Sequence, residues 1–175
     1  MPKDVLKYIH LLQQTLLYDD AYIPYIKQQM PKLTQLARMD ASRGNPEPLR
    51  DGINRPVGEQ THNWHCQERD WVSYTFSRET LVKKVTLILD SGLNKLIAMS
   101  HLQKDNQLVT LPDTMPRKFR IDIKQHGNWK LLYRIKNNNQ RLFKCEIKQK
   151  VSAIRFVLEK TYGAKISCVY AFYCE

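Results

Sequence analysis

The apolar positions along the chain change period once. Across residues 4–18, DVLKYIHLLQQTLLY, the residues Val5, Ile9, Leu12 and Leu16 recur every three or four positions, with Asp4 ahead of them as an N-cap. That spacing predicts a short amphipathic helix. Pro24 and Pro31 bracket the next segment, so a further helix here is brief or begins at Pro31. From Arg43 to Gly58 the chain reads RGNPEPLRDGINRPVG, rich in proline and glycine, which predicts irregular coil and a domain boundary. Beyond it, helical spacing gives way to short apolar or alternating runs near 71–76, 82–89, 118–123, 129–135, 141–147, 151–158 and 166–173. Asp90-Ser91-Gly92, His126-Gly127-Asn128, Asn137-Asn138-Asn139 and Tyr162-Gly163 fall between the runs as turns, the asparagine triple reading as a hairpin tip.

Several short strands separated by turn residues imply a mainly β fold, an antiparallel two-sheet sandwich behind a short N-terminal helical segment. The expected division is a helical lead-in over 1–42 and a sandwich domain over 43–175. The near-continuous apolar run Val151–Leu158 predicts a central strand buried on both faces. Trp71, Val85, Leu87, Ile154, Phe156 and Val169 are expected in the core. A chain of 175 residues has room for one full core, and 42% hydrophobic residues set it apart from disordered chains.

Charge alters this picture in one place. Residues 117–150 hold 11 Lys and Arg against 2 Asp and Glu, and the rest of the chain is close to balance. The basic residues alternate with apolar ones, which predicts cations on the solvent face of a sheet. Such a face serves either as a solvated guard against strand pairing or as a surface for an anionic partner. No recognition-helix or finger pattern accompanies it, so nucleic acid is not the expected partner. No apolar run has the length of a membrane-spanning helix, and no h-region with a small-residue cleavage site opens the chain. Cys66, Cys145, Cys168 and Cys174 show no short metal-ligand spacing and read as free thiols in a cytoplasmic protein.

The motifs of nucleotide and nucleophile chemistry are missing. No G-x-G-x-x-G, G-x-x-x-x-G-K-[ST] or G-x-S-x-G occurs, so neither a cofactor nor a catalytic constellation is expected in this chain. His62-Asn63-Trp64-His65-Cys66 is the densest cluster of ligand-capable side chains. Its flanks favour a surface loop with Trp64 plugging the end of the core, and no metal is assigned to it.

The order Asp51-Gly52, Asn63-Trp64, then Trp71–Phe76 leading into Val82–Leu87, resembles the opening of galactose-binding-domain-like, discoidin-type β-sandwiches. Val151–Phe156, the Thr161–Ala164 loop and the run 166–173 resemble their last two strands. The resemblance implies a jelly-roll sandwich with Trp64 and Trp71 packed inside. Members of that group hold a structural calcium with residues that align to Asp51, Thr61 and position 168, which is Cys168 here, a poor ligand for a hard cation. Asp51 is instead expected to tie down its own turn.

The stretch Leu11–Pro24, with Leu36-Ala37-Arg38 and Asp51–Pro56, resembles the C-terminal region of bacterial FAD-dependent oxidoreductases, where a discoidin-like tail follows the flavin domain. That resemblance implies a non-catalytic module for docking, oligomerisation or substrate presentation. Its partner would be an upstream flavin domain, with FAD held there and not in this chain. The alternative is a carbohydrate-binding module using loops at one end of the sandwich, with His62, Asn63, His65, His101 and Asn138 as candidate ligand-binding residues. A third reading is an anionic-partner binder using the basic strands of 117–150.

Overall fold

The computed structural model describes residues 29–92 and 110–175. The expected helix of residues 4–18 and the candidate His101 lie outside the described residues. A five-residue helix α1 (Lys32–Leu36) starts just after Pro31, where the ring's fixed φ suits a helix entry. Seven strands follow, interrupted by a 3-10 turn at Glu47–Arg50: β1 (Arg38–Ala41), β2 (Trp64–Cys66), β3 (Trp71–Leu89), β4 (Pro116–Gln125), β5 (Asn128–Ile135), β6 (Leu142–Thr161) and β7 (Ser167–Cys174).

All pairings are antiparallel. The sheet order is β2-β7-β3-β6-β4-β5, with β1 added on β3. Two long strands convert this single sheet into two layers. The runs read separately as 71–76 and 82–89 form one strand, β3, and those at 141–147 and 151–158 form β6. Their shared register slips between Thr75 and Thr80, opposite Ala153 and Val151, where extra residues on β3 bend the pair. The early half of β3 and late half of β6 make one layer with β1, β4 and β5. Their other halves make the second layer with β7 and β2. The expected antiparallel two-layer sandwich is the fold observed.

Between the layers lies the core. Tyr74 of the first layer stacks on Phe172 of the second at 4.8 Å between centroids and donates its hydroxyl to the Phe172 carbonyl at 2.7 Å. Phe119 meets Phe143 edge-to-face at 5.1 Å. These contacts pack the interior through tilted and T-shaped ring pairs. Val85, Leu87, Ile154, Phe156 and Val169 are buried as expected, and Val151–Leu158 is a central strand.

Trp71 corrects the expectation. Side chains alternate along a strand, and Val72, Tyr74 and Phe76 occupy the inner face, so Trp71 sits half-buried on the outer face beside Val157. Two further corrections concern connections. The boundary placed at residue 42 cuts through the fold: Ala37 is a core residue, β1 pairs with β3, and Thr34 Oγ1 donates to the Cys174 carbonyl at 2.9 Å. Arg50 closes the segment by donating to the carbonyls of Thr34 and Ala37. The asparagine triple is not a hairpin tip, because β4 lies between β5 and β6. The two-residue hairpin is His126-Gly127, with φ of 50° and 81°.

Candidate functional site

A cleft of about 190 Å³ opens beside β2, lined by Arg43, Gly44, Asn45, Asn63, Trp64, His65, Cys66 and Ile166. Three segments converge on it. The coil after β1 brings Arg43 to Asn45, β2 and the residue before it bring Asn63 to Cys66, and the turn ahead of β7 brings Ile166. Asp70 holds the first of these in place. It accepts from the Ser42 hydroxyl at 2.8 Å, from the Gln67 amide at 2.8 Å and from Arg43 at 3.4 Å. The Ser42 oxygen in turn accepts the Trp71 amide at 2.9 Å, so the coil is stitched to the start of β3. Gly44 takes a φ of +61°, which a side chain would strain.

Trp64 forms the inner wall. It is 2% exposed and donates Nε1–H to the Arg43 carbonyl at 2.8 Å, so the ring belongs to the core and its one polar atom fixes the loop. Strand alternation then turns His65 out to solvent and Cys66 in. Burial raises the Cys66 thiol far above the usual thiol range, with the neighbouring Cys168 adding to the shift, so it is an inert part of the floor. Asn63 is 8% exposed, and its Oδ1 is enclosed without a hydrogen-bond partner among the described residues. A buried amide oxygen without a partner carries a desolvation cost in a folded protein. Arg43 keeps 46% of its side chain exposed despite its contact with Asp70, and Ile166 is 49% exposed at the rim. The cleft therefore offers a guanidinium, an imidazole, two amides and one apolar surface, without an exposed aromatic ring.

The residues read as a group from the sequence separate in space. His62 turns away from the cleft, with φ of 47°, and its Nδ1 lies 2.7 Å from Asp51 Oδ2. Asp51 Oδ1 accepts the Ile53 amide at 2.8 Å, so this carboxylate ties down its own turn, as expected. Among the described residues no three of His, Cys, Asp and Glu converge as metal ligands. Asn63 and His65 do meet in the cleft, though His65 stands on a strand and not on the expected loop. Asn138 does not join them: it is buried, and its amide donates to the carbonyls of Pro116 and Gln140 while its own carbonyl accepts the Tyr162 hydroxyl. This asparagine is committed to holding the β5–β6 connection against β4.

Sequence reasoning passed over Arg43, Asn45 and Ile166. The first two sit in the proline- and glycine-rich coil, where composition marks a boundary and hides a lining. Their signal was Arg43-Gly44-Asn45 itself, a glycine between two side chains that both carry hydrogen-bond donors.

No protein-family model matches this chain. Among curated proteins no match was found either. Solved structures do resemble it. The family 32 carbohydrate-binding module of Streptococcus pneumoniae EndoD superposes with a TM-score of 0.57 at 12% identity, over 79% of this chain and 94% of its own. The family 32 module of C. perfringens NanJ, solved in complex with galactose, gives 0.56 at 9% identity over 81% and 94%. Chitosan-binding module 2 of a Paenibacillus sp. IK-5 chitosanase/glucanase, solved with chitotriose, gives 0.57 at 11% over 82% and 98%. At these identities the likeness establishes the fold: the galactose-binding-like jelly-roll sandwich of family 32 carbohydrate-binding modules.

Proposed function

We propose that this chain is a non-catalytic carbohydrate-binding module whose sugar site is the cleft of Arg43, Asn45, Asn63, His65 and Ile166. The observation that carries the reading is the polar cleft at the β2 edge, lined by Arg43, Asn45, Asn63 and His65, on a fold whose solved neighbours are carbohydrate-binding modules. A pyranose presents hydroxyls that both donate and accept, and a C–H face that packs on apolar side chains. Arg43 and Asn45 supply donors, His65 a donor or an acceptor, and Ile166 the apolar contact. A neutral or acidic sugar suits this set better than a cationic one, because Arg43 is the charged group on the rim.

The docking reading, with the chain as the tail of an FAD-dependent oxidoreductase, has less behind it. Residues 11–24, which carry much of that resemblance, lie outside the described residues, whereas the solved structures of like fold are modules described as binding glycans. A glycan array followed by calorimetric titration of galactose and N-acetylgalactosamine tests the proposal. Binding of any of these sugars that is lost in His65→Ala and Asn45→Ala, with melting behaviour unchanged, is the expected result. A folded protein that ignores the whole array overturns it.

A further inference from the structure

The rim of the sheet farthest from β2 has no role in that reading. A sheet edge leaves a row of backbone N–H and C=O groups without partners, and proteins guard such rows by keeping them short, bulging them or covering them. Three edges here are guarded. β1 and β2 have four and three residues. The early half of β6, which borders the second layer, is broken by Lys148 at φ 51°, and its Glu146 carbonyl accepts the Tyr133 hydroxyl at 2.8 Å. β5 is different. Its eight residues pair with β4 alone, and none of them is buried.

β5 is also the most apolar exposed element. Of the eight large hydrophobic residues that are exposed among those described, three stand on this strand: Trp129 at 37%, Leu131 at 54% and Tyr133 at 38%. A slip in register between Ile121 and Asp122 places Leu131 beside Asp122 and Trp129 beside Lys124, both on the outer face of the sheet. There the Arg155 guanidinium stacks 4.2 Å above the Trp129 ring and donates to Asp122 at 2.7 Å, holding the indole in a fixed position on a rigid face.

Charge selects the occupant. From Gln125 to Cys145 the chain holds five Lys and Arg and no acid. Arg134 is engaged by Glu159 at 2.8 Å, while Lys130 and Lys136 have no acid within ion-pair distance among the described residues. A second copy adding its own β5 would set cations against cations across the new ladder, which destabilises the pairing. An acidic strand would meet complementary charge and would satisfy the free backbone groups.

We infer that the free edge of β5 accepts an extended, acidic peptide as an added strand, with apolar side chains of that peptide resting on Trp129 and Leu131. The probe is an end-capped eight-residue peptide of alternating Val and Glu, titrated into the isotope-labelled chain and followed by NMR and amide hydrogen exchange. Shifts at the Trp129 indole and along residues 128–135, with exchange in that strand slowed by the peptide, are expected. Raising salt from about 0.05 to 0.3 M should weaken the affinity several-fold, and Lys130→Glu should weaken it about tenfold with core resonances unmoved.

Three results overturn the inference. The first is an unperturbed β5 at millimolar peptide. The second is concentration-dependent protection without peptide, which would make the occupant a second copy. The third is a heparin hexasaccharide that shifts the same residues more tightly than the peptide without slowing exchange, which would make the strand a polyanion surface. Sugar binding in the cleft is measured separately through His65, so this inference and the proposed function fail independently.

Discussion

The sheet begins and ends on edge strands that both carry a tryptophan, and the two ends have opposite fates. β2 is three residues long, its Trp64 is 2% exposed, and the Arg43 coil closes over the ring through the Nε1 hydrogen bond. β5 is eight residues long, its Trp129 is 37% exposed, and Lys124 and Arg155 of its own sheet lie over the ring. The difference comes from what crosses each edge. Residues 42–70 form a loop network around β2, anchored by Asp70, which buries the aromatic and leaves a cleft of hydrogen-bonding groups. Nothing among the described residues crosses β5, so the aromatic remains available as surface. One end thus has the chemistry to bind a polar small ligand, and the other has the chemistry of strand addition.

Removing Trp64 gives the sharpest test of that contrast. Truncation to Ala empties a fully buried site and leaves the Arg43 carbonyl without its donor, for an expected loss of about 3–5 kcal/mol in urea melts. Trp64→Phe keeps most of the volume and isolates the hydrogen bond, for a loss of about 1–2 kcal/mol. A loss below about 1 kcal/mol for the Ala variant would show that the Arg43 coil does not close the β2 edge.

The outer face beneath Trp129 is tested next through Asp122. This carboxylate is 3% exposed and accepts from both Arg120 and Arg155, at 3.1 and 2.7 Å. Asp122→Ala strands two cations. A broken buried pair costs about 3–5 kcal/mol, but both guanidiniums reach water and Arg120 retains Glu159, so the expected loss is about 2 kcal/mol. The Trp129 indole should lose its fixed orientation in the same variant, visible as averaging of its resonances. Wild-type stability would mean that the network only decorates the sheet.

Alkali provides an independent probe of burial. Desolvation raises the Cys145 and Cys168 thiols to about 12, and Asp90 adds to the shift of Cys168. These groups bind protons more tightly when folded than when unfolded. Their contribution to stability is complete below the unfolded thiol value of about 8.5 and drains away as pH climbs toward 12. Melting temperature should therefore decline across that range, and Cys168, although half-exposed, should alkylate slowly at pH near 8. Rapid modification of Cys168 at that pH would contradict its place in the sheet.

How far the sequence spoke for itself differs between the two ends. The strands, the central position of Val151–Leu158 and the burial of Trp64 were legible because alternation and apolar runs report local burial. The fusion of four runs into β3 and β6 was not, since the polar residues at the bends read as turns. Trp71 was misplaced because size argued for the core, whereas the parity of Val72, Tyr74 and Phe76 decided the face. Two of the five residues of the candidate site were legible, Asn63 and His65. Arg43, Asn45 and Ile166 come from segments distant in sequence, and only the fold brings them together. Asn138 shows the reverse case, a residue with suitable chemistry that the fold consumes for its own hydrogen bonds.

The smallest expected effect on stability belongs to Trp129. Its neighbours on the outer face are Lys124 and Arg155, and replacing it by Ala removes exposed ring surface and a stacking contact worth about 0.5–1 kcal/mol at an exposed site. Denaturant midpoints should therefore shift by under about 1 kcal/mol, a small fraction of the Trp64 effect. The functional effect should run the other way. Trp129→Ala should leave sugar binding in the cleft unchanged, because β5 lies at the opposite end of the strand order, and should weaken the Val-Glu peptide about fivefold through loss of its apolar seat. A large loss of stability would place Trp129 in the structural framework and close the distinction between the two ends of the sheet. A small loss with peptide affinity intact would keep the distinction and move the peptide's seat to Leu131 alone.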